Sequence, residues 1–115
     1  MIPLPPPPVV FEKPVAGVVT QEPSVQHQAW DFSCFPGAPV IAVHDGKTSV
    51  EKSYTHGIVI YLTSEDGRVS SYSHMSASKA PGTYSRGDVI GYCGNTGVWS
   101  SGPHVHFESN MPYRF

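Results

Sequence analysis

Short runs of β-branched and aliphatic residues, each soon closed by glycine or proline, limit what this chain can become. VAGVVT (15–20), PVIAV (39–43) and GIVIYL (57–62) are the clearest, and DVIGYC (88–93) and HVHFES (104–109) add two more. Such runs have strand length and strand chemistry, and they are too short to make a helix. Asp45-Gly46 and Asp66-Gly67 are turn dipeptides, and the second joins GIVIYL to RVSSYSH as a hairpin. With 11 glycines and 12 prolines among 115 residues, no segment sustains helical periodicity and none repeats. Only MSASKA (75–80) suggests a short helical turn, which Pro81-Gly82 would stop. The expected class is all-β, an antiparallel sheet or sandwich with long loops.

Length and charge narrow the function. One domain is expected at this length. Seven Lys and Arg against nine Asp and Glu give a net charge of −2, without the basic stripe of a nucleic-acid binder. No apolar run approaches the roughly 20 residues of a membrane helix, so neither nucleic acid nor membrane is an expected partner. MIPLPPPPVV has no basic segment and no uninterrupted apolar core, and is not read as a signal peptide. Residues 1–14 are read as a proline-rich N-terminal arm of polyproline II character and 15–115 as the folded domain. Cys34 and Cys93 form no CxxC pair, which argues against a zinc knuckle. Spacing alone cannot show disulfide geometry, so the default reading is two small buried hydrophobes.

The chemistry lies in six histidines, at 27, 44, 56, 74, 104 and 106. His104 and His106 sit one residue apart in a strand, so their side chains share a face. His27 and Asp31 stand four apart in HQAWD, and His74 ends the second arm of the hairpin. A catalytic zinc site takes three protein ligands and leaves one position for water. One histidine of HVH with His27 and Asp31 would supply such a set. His74 and the other HVH histidine would then be left for proton transfer and oxyanion stabilisation. Spacing does not say which HVH histidine is the ligand. The HExxH helix of the common metalloproteases is absent.

In order, the chain carries HQAWDFSCFPGAPVIAVHDG, a hairpin closing on YSHMS, the glycine-rich SRGDVIGYCGNTG and SSGPHVHFE. From about His27 to Glu108 this resembles the M23 family of zinc metallopeptidases, the lysostaphin and LytM type. The resemblance implies an antiparallel β-fold of duplicated-hybrid-motif type with a metal-binding groove. It implies zinc held by His27, Asp31 and His106, with His74 and His104 as the catalytic histidines. It also implies hydrolysis of peptide bonds in bacterial peptidoglycan, in cross-bridges or stem peptides, and hence action at the cell wall. Against the family pattern, the loop before SSGPH is one residue longer, through Val98 and Trp99, and His44 stands where a small residue is usual.

The competing functional reading is a non-catalytic zinc-stabilised structural or wall-binding module, but the full set of five residues favours the enzyme. A stiff arm without a leader also suits a phage virion component, a tail-associated wall hydrolase whose residues 1–14 dock on tail proteins. His44 and His56 are read as loop histidines, Asp88 and Glu108 as structural. Tyr72 shares a face with His74 by strand alternation, which would carry it toward the site. Trp30 and Trp99 fit either the groove or the core.

Overall fold

The computed structural model describes residues 8–24, 29–98, 100 and 102–115. His27 and Trp99 lie outside the described residues, as do positions 1–7 of the arm. Among the described residues every regular element is a strand. The main sheet has seven strands in the spatial order β2 (Val19–Gln21), β3 (Trp30–Ser33), β11 (His104–Ser109), β7 (Val69–Met75), β6 (Gly57–Thr63), β5 (Gly46–Ser53) and β9 (Thr83–Tyr84). A smaller sheet runs β4 (Pro39–Ile41), β10 (Val89–Tyr92) and β8 (Ala77–Ser78). All pairings in both sheets are antiparallel. The fold is thus all-β and mostly antiparallel, as the patterning predicts.

The β6–β7 hairpin turns at Asp66-Gly67, with Gly67 at φ 91° and its N–H donating to the Ser64 carbonyl at 3.1 Å. Asp45-Gly46 is different, because the chain bends over 43–45 and Gly46 already opens β5. The expected helical turn at 75–80 does not form. Ala77 and Ser78 pair instead with Tyr92 and Gly91, and the Lys79 N–H donates to the Ile90 carbonyl at 2.8 Å. The edge of β10 offers those groups a ladder, and a tertiary ladder outweighs weak local helix propensity.

The core follows strand alternation. Phe32, Val105, Phe107, Tyr72, Ile60 and Leu62 are all fully buried on one face of the main sheet, and Val40, Ile90 and Cys93 close over them from the smaller one. Cys34 and Cys93 form a disulfide, a pairing that their spacing leaves open. Their Cα atoms stand 6.4 Å apart across a sequence separation of 59, a proximity made by the second sheet and invisible in local spacing. The second half of the arm belongs to the packed structure. Val9 and Val10, as β1, pair in parallel with Tyr113 and Arg114 of β12, and Phe11 is buried against Phe107, Tyr113 and Phe115.

Arg68 is buried at the start of β7 with its guanidinium over the Phe11 ring. It donates to Ser109 Oγ at 3.0 Å and to the Met111 and Pro112 carbonyls at 2.7 and 2.8 Å. This cation ties the turn before β12 to the strand pair that carries the histidines.

Candidate active site

The pairing of β3 with β11 builds one wall of a groove. His104 lies opposite Ser33, and His106 opposite Asp31. Directly paired residues share a face, so both histidines, Asp31 and Ser33 project together while Val105 and Phe32 turn into the core. A cavity of about 520 Å³ is lined by these four residues with Thr20, Gln21, His56, His74, Gly102 and Pro103. Four of the five sequence-predicted site residues, Asp31, His74, His104 and His106, therefore line one groove.

His74 reaches the groove by a route that alternation does not predict. On β6, Ile58 and Ile60 oppose Met75 and Tyr72 on β7, so β7 carries one extra residue. His74 sits in this bulge with φ 66°, the only described non-glycine residue in the left-handed region. Its N–H donates to the His56 carbonyl at 2.8 Å. The bulge breaks the period of two. Tyr72 points into the core, fully buried, its hydroxyl accepting from the Val43 N–H at 3.0 Å, while His74 turns out to the groove. The expectation that Tyr72 reaches the site is corrected accordingly, and burial pushes its phenol pKa up. Trp30 falls on the core side as well, stacked on Phe32 and edge-on to Phe115.

Backbone carbonyls set the tautomers of two histidines. His74 Nδ1 donates to the Thr96 carbonyl at 2.6 Å, and His104 Nδ1 to the Gly102 carbonyl at 2.7 Å. In the neutral ring each then has Nε2 as its acceptor. The two ring centroids are 4.8 Å apart. Burial holds the His74 pKa below the ordinary histidine range; the Thr96 carbonyl opposes this and the neighbouring imidazoles reinforce it. Thr96 is itself fixed, accepting from the Ile58 N–H at 3.1 Å and donating to the Met75 carbonyl at 2.7 Å. Its loop comes this close to the hairpin because Gly57 and Gly97, both at positive φ, meet where any Cβ would collide with backbone.

His106 Nδ1 lies 3.1 Å from Asp31 Oδ1, and His106 Nε2 is 3.8 Å from Glu108 Oε2. Burial disfavours the charged imidazole here, but the hydrogen bonds and charges of both carboxylates outweigh it and raise its pKa to about 9. His104 Nε2 stands 4.0 Å from the same Asp31 oxygen.

Residues 25–112 match the model of peptidase family M23. The chain belongs to this family. The DD-carboxypeptidase/endopeptidase Mpg of Neisseria meningitidis is 34% identical over 87 residues, which cover 74% of this chain and 20% of that protein. Lysostaphin of Staphylococcus simulans superposes with a TM-score of 0.70 at 31% identity, covering 91% of this chain and 44% of that one. A zinc-containing peptidase of Vibrio cholerae superposes with a TM-score of 0.75 at 26% identity, covering 88% and 36%. The chain spans about a fifth of the length of the curated relatives it matches.

M23 membership raises the question of a metal, and two donors of the groove stand at ligand spacing. Two ligands about 2.05 Å from a tetrahedral ion are about 3.3 Å apart, close to the 3.1 Å between Asp31 Oδ1 and His106 Nδ1. Among the described residues no third His, Cys, Asp or Glu completes such a set; the remaining predicted ligand is His27, outside them. Glu108, which the sequence reads as structural, has Oε2 3.8 Å from the other nitrogen of His106. His56 lies, as its sequence reading expects, in the turn between β5 and β6, and its ring also lines the groove, 5.5 Å from His106 and 5.8 Å from His74 between centroids. The one signal for it in sequence is its place just before GIVIYL, whose far end returns as the strand bearing His74. His44 does stay away from the groove, bonded through Nε2 to Ser70 Oγ and through Nδ1 to the Asp45 carbonyl, both at 2.8 Å.

Proposed function

We propose that this chain is a zinc-dependent endopeptidase that hydrolyses peptide bonds of bacterial peptidoglycan at the cell wall. The observation that carries the reading is the juxtaposition of an Asp31–His106 pair at ligand spacing with two carbonyl-fixed histidines, His74 and His104, across one open groove. M23 membership and the similarity to Mpg and lysostaphin support the substrate class.

In this reading His27, Asp31 and His106 hold zinc, and zinc so held supplies an activated water and a Lewis acid for the scissile carbonyl. The chain's own residues supply the rest. Nε2 of His74 or His104 takes a proton from the attacking water, and the other, protonated, donates to the oxyanion or the leaving amine. The lowered pKa keeps His74 neutral and able to accept at neutral pH. The Gly102 and Thr96 carbonyls prevent either ring from turning away. Glu108 draws the remaining proton of His106 to the side away from Asp31.

The test is a digest of purified sacculi from several bacteria, with and without chelator, read by mass spectrometry. Chelator-sensitive peptide fragments are expected, and they identify the bond cut. Intact sacculi from protein shown to carry one zinc per chain would replace the enzyme with a zinc-stabilised wall-binding module.

A further inference from the structure

We propose that His56 is a substrate-contacting residue of the groove, donating a hydrogen bond from Nε2 to a carbonyl or carboxylate oxygen of the bound peptide. This deepens the peptidase reading and rests on it for the identity of the ligand. The sequence-predicted set leaves His56 without a task, yet its ring forms part of the groove wall beside His74 and His106.

The hydrogen bonds around it accommodate the tautomer that donates from Nε2. The His56 N–H donates to Ser53 Oγ at 3.2 Å, Ser53 Oγ lies 3.1 Å from Thr55 Oγ1, and Thr55 Oγ1 lies 2.9 Å from His56 Nδ1. Each hydroxyl has one proton to give. Having accepted from the backbone, Ser53 can donate to Thr55, and Thr55 can donate to Nδ1. With the bonds in this order the neutral imidazole carries its own proton on Nε2. In that tautomer His56 is a donor through Nε2, where His74 and His104 are fixed with Nε2 as acceptor.

The backbone holds the ring where a peptide would meet it. The His56 carbonyl receives the N–H of His74 at the bulge, and Gly57 and Gly97 press the hairpin end onto the 95–98 loop. Among the described residues the groove otherwise offers imidazoles, hydroxyls, the Gln21 amide and one carboxylate, that of Asp31. A neutral donor on this wall suits an acyl or carboxylate oxygen next to the scissile bond. It would orient the peptide with little displacement, because its direction is set before binding.

The test uses side-chain length. Gln at 56 places an amide near the position of Nε2, whereas Asn reaches only that of Nδ1. His56→Ala, His56→Gln and His56→Asn are compared by kcat/KM on a purified cross-linked muropeptide, by bound zinc and by Tm. Binding of the same muropeptide is measured by calorimetry in a His104→Ala background, so that a peptide contact is seen even if hydrolysis is absent. His56→Ala and His56→Asn are expected to lose 10- to 100-fold in kcat/KM and about 10-fold in affinity at unchanged zinc content, and His56→Gln to recover most of both. Wild-type rate and affinity in His56→Ala, loss that tracks zinc or Tm, or no recovery in His56→Gln would each overturn the proposal. Wild-type protein that binds the muropeptide through His56 without cutting it would overturn the peptidase reading and leave the contact standing.

Discussion

Two polar clusters occupy opposite ends of the same strand pair, β7 and β11. One contains His74, His104, His106 and Asp31; the other contains Arg68, His44, Ser70 and Ser109. Their residue types overlap, and both lie against the same aromatic core. What separates them is how the protein completes their hydrogen bonds. At the Arg68 end the partners are internal: two carbonyls and a hydroxyl for the guanidinium, and a hydroxyl and a carbonyl for the two nitrogens of His44. At the groove end His74 and His104 each have Nδ1 tied to a carbonyl and Nε2 on the groove side, and Asp31 is shared among neighbours that line a cavity. A satisfied network holds the fold together. An arrangement fixed on one side and open on the other is suited to a ligand and to proton transfer.

The sharpest way to break this contrast is within the HVH pair. His106→Ala should lose bound metal and with it essentially all hydrolysis, together with the stability the metal contributes to the folded state. His104→Ala should keep the metal and lose on the order of 10²-fold or more in rate, as expected for a general acid or base. Zinc content and muropeptide turnover on the two variants decide it. Equal metal loss in both would refute the division of roles between them.

Arg68 tests the other end. Arg68→Met removes a buried cation and the bonds it donates to the Met111 and Pro112 carbonyls and to Ser109 Oγ, of which Pro112 keeps the Val9 N–H and Ser109 keeps Ser70. Bonds to a charged group contribute about 1.5–3 kcal/mol each before compensation by the apolar side chain. A net loss of about 3 kcal/mol, or a Tm lower by on the order of 10 °C, is expected by calorimetry. Turnover per folded molecule should stay at the wild-type level. A drop in turnover at full folding would show the two ends to be coupled.

The same contrast explains what could be read before the structure. The strand runs at 39–43, 57–62, 88–93 and 104–109, the hairpin at Asp66-Gly67 and the shared face of His104 and His106 follow from local periodicity, and the structure has them, while of the run at 15–20 only Val19 and Thr20 join a strand, β2. The disulfide, the strand at Ala77–Ser78 and the seat of His56 are made by segments distant in sequence, and no local pattern encodes them. Tyr72 and His74 mark the limit most clearly. Alternation puts them on one face, and a single inserted residue with His74 at φ 66° puts them on two. The bulge has no signature in YSH, because the left-handed residue is a histidine and the bonds that hold it come from His56 and Thr96.

The smallest expected effect concerns His44 and runs through pH. Burial lowers its pKa below the usual 6.5; the Asp45 carbonyl opposes the shift, and the nearby Arg68 charge adds to it. The unfolded chain therefore binds a proton at a higher pH than the folded one does. Stability linked to His44 is complete above about pH 6.5 and is lost as the pH falls from there through the folded pKa. His74 shifts in the same direction, so the wild-type acid slope contains both groups. In His44→Gln the amide can still meet Ser70 but cannot take up the proton. The expected result is a shallower fall of Tm between pH 6.5 and 5 than in the wild type, with the two curves parallel above pH 7. Parallel curves over the whole range would mean that His44 takes up its proton in the folded state as easily as in the unfolded one. The completed network at the Arg68 end would then be less closed to charge than its hydrogen bonds imply.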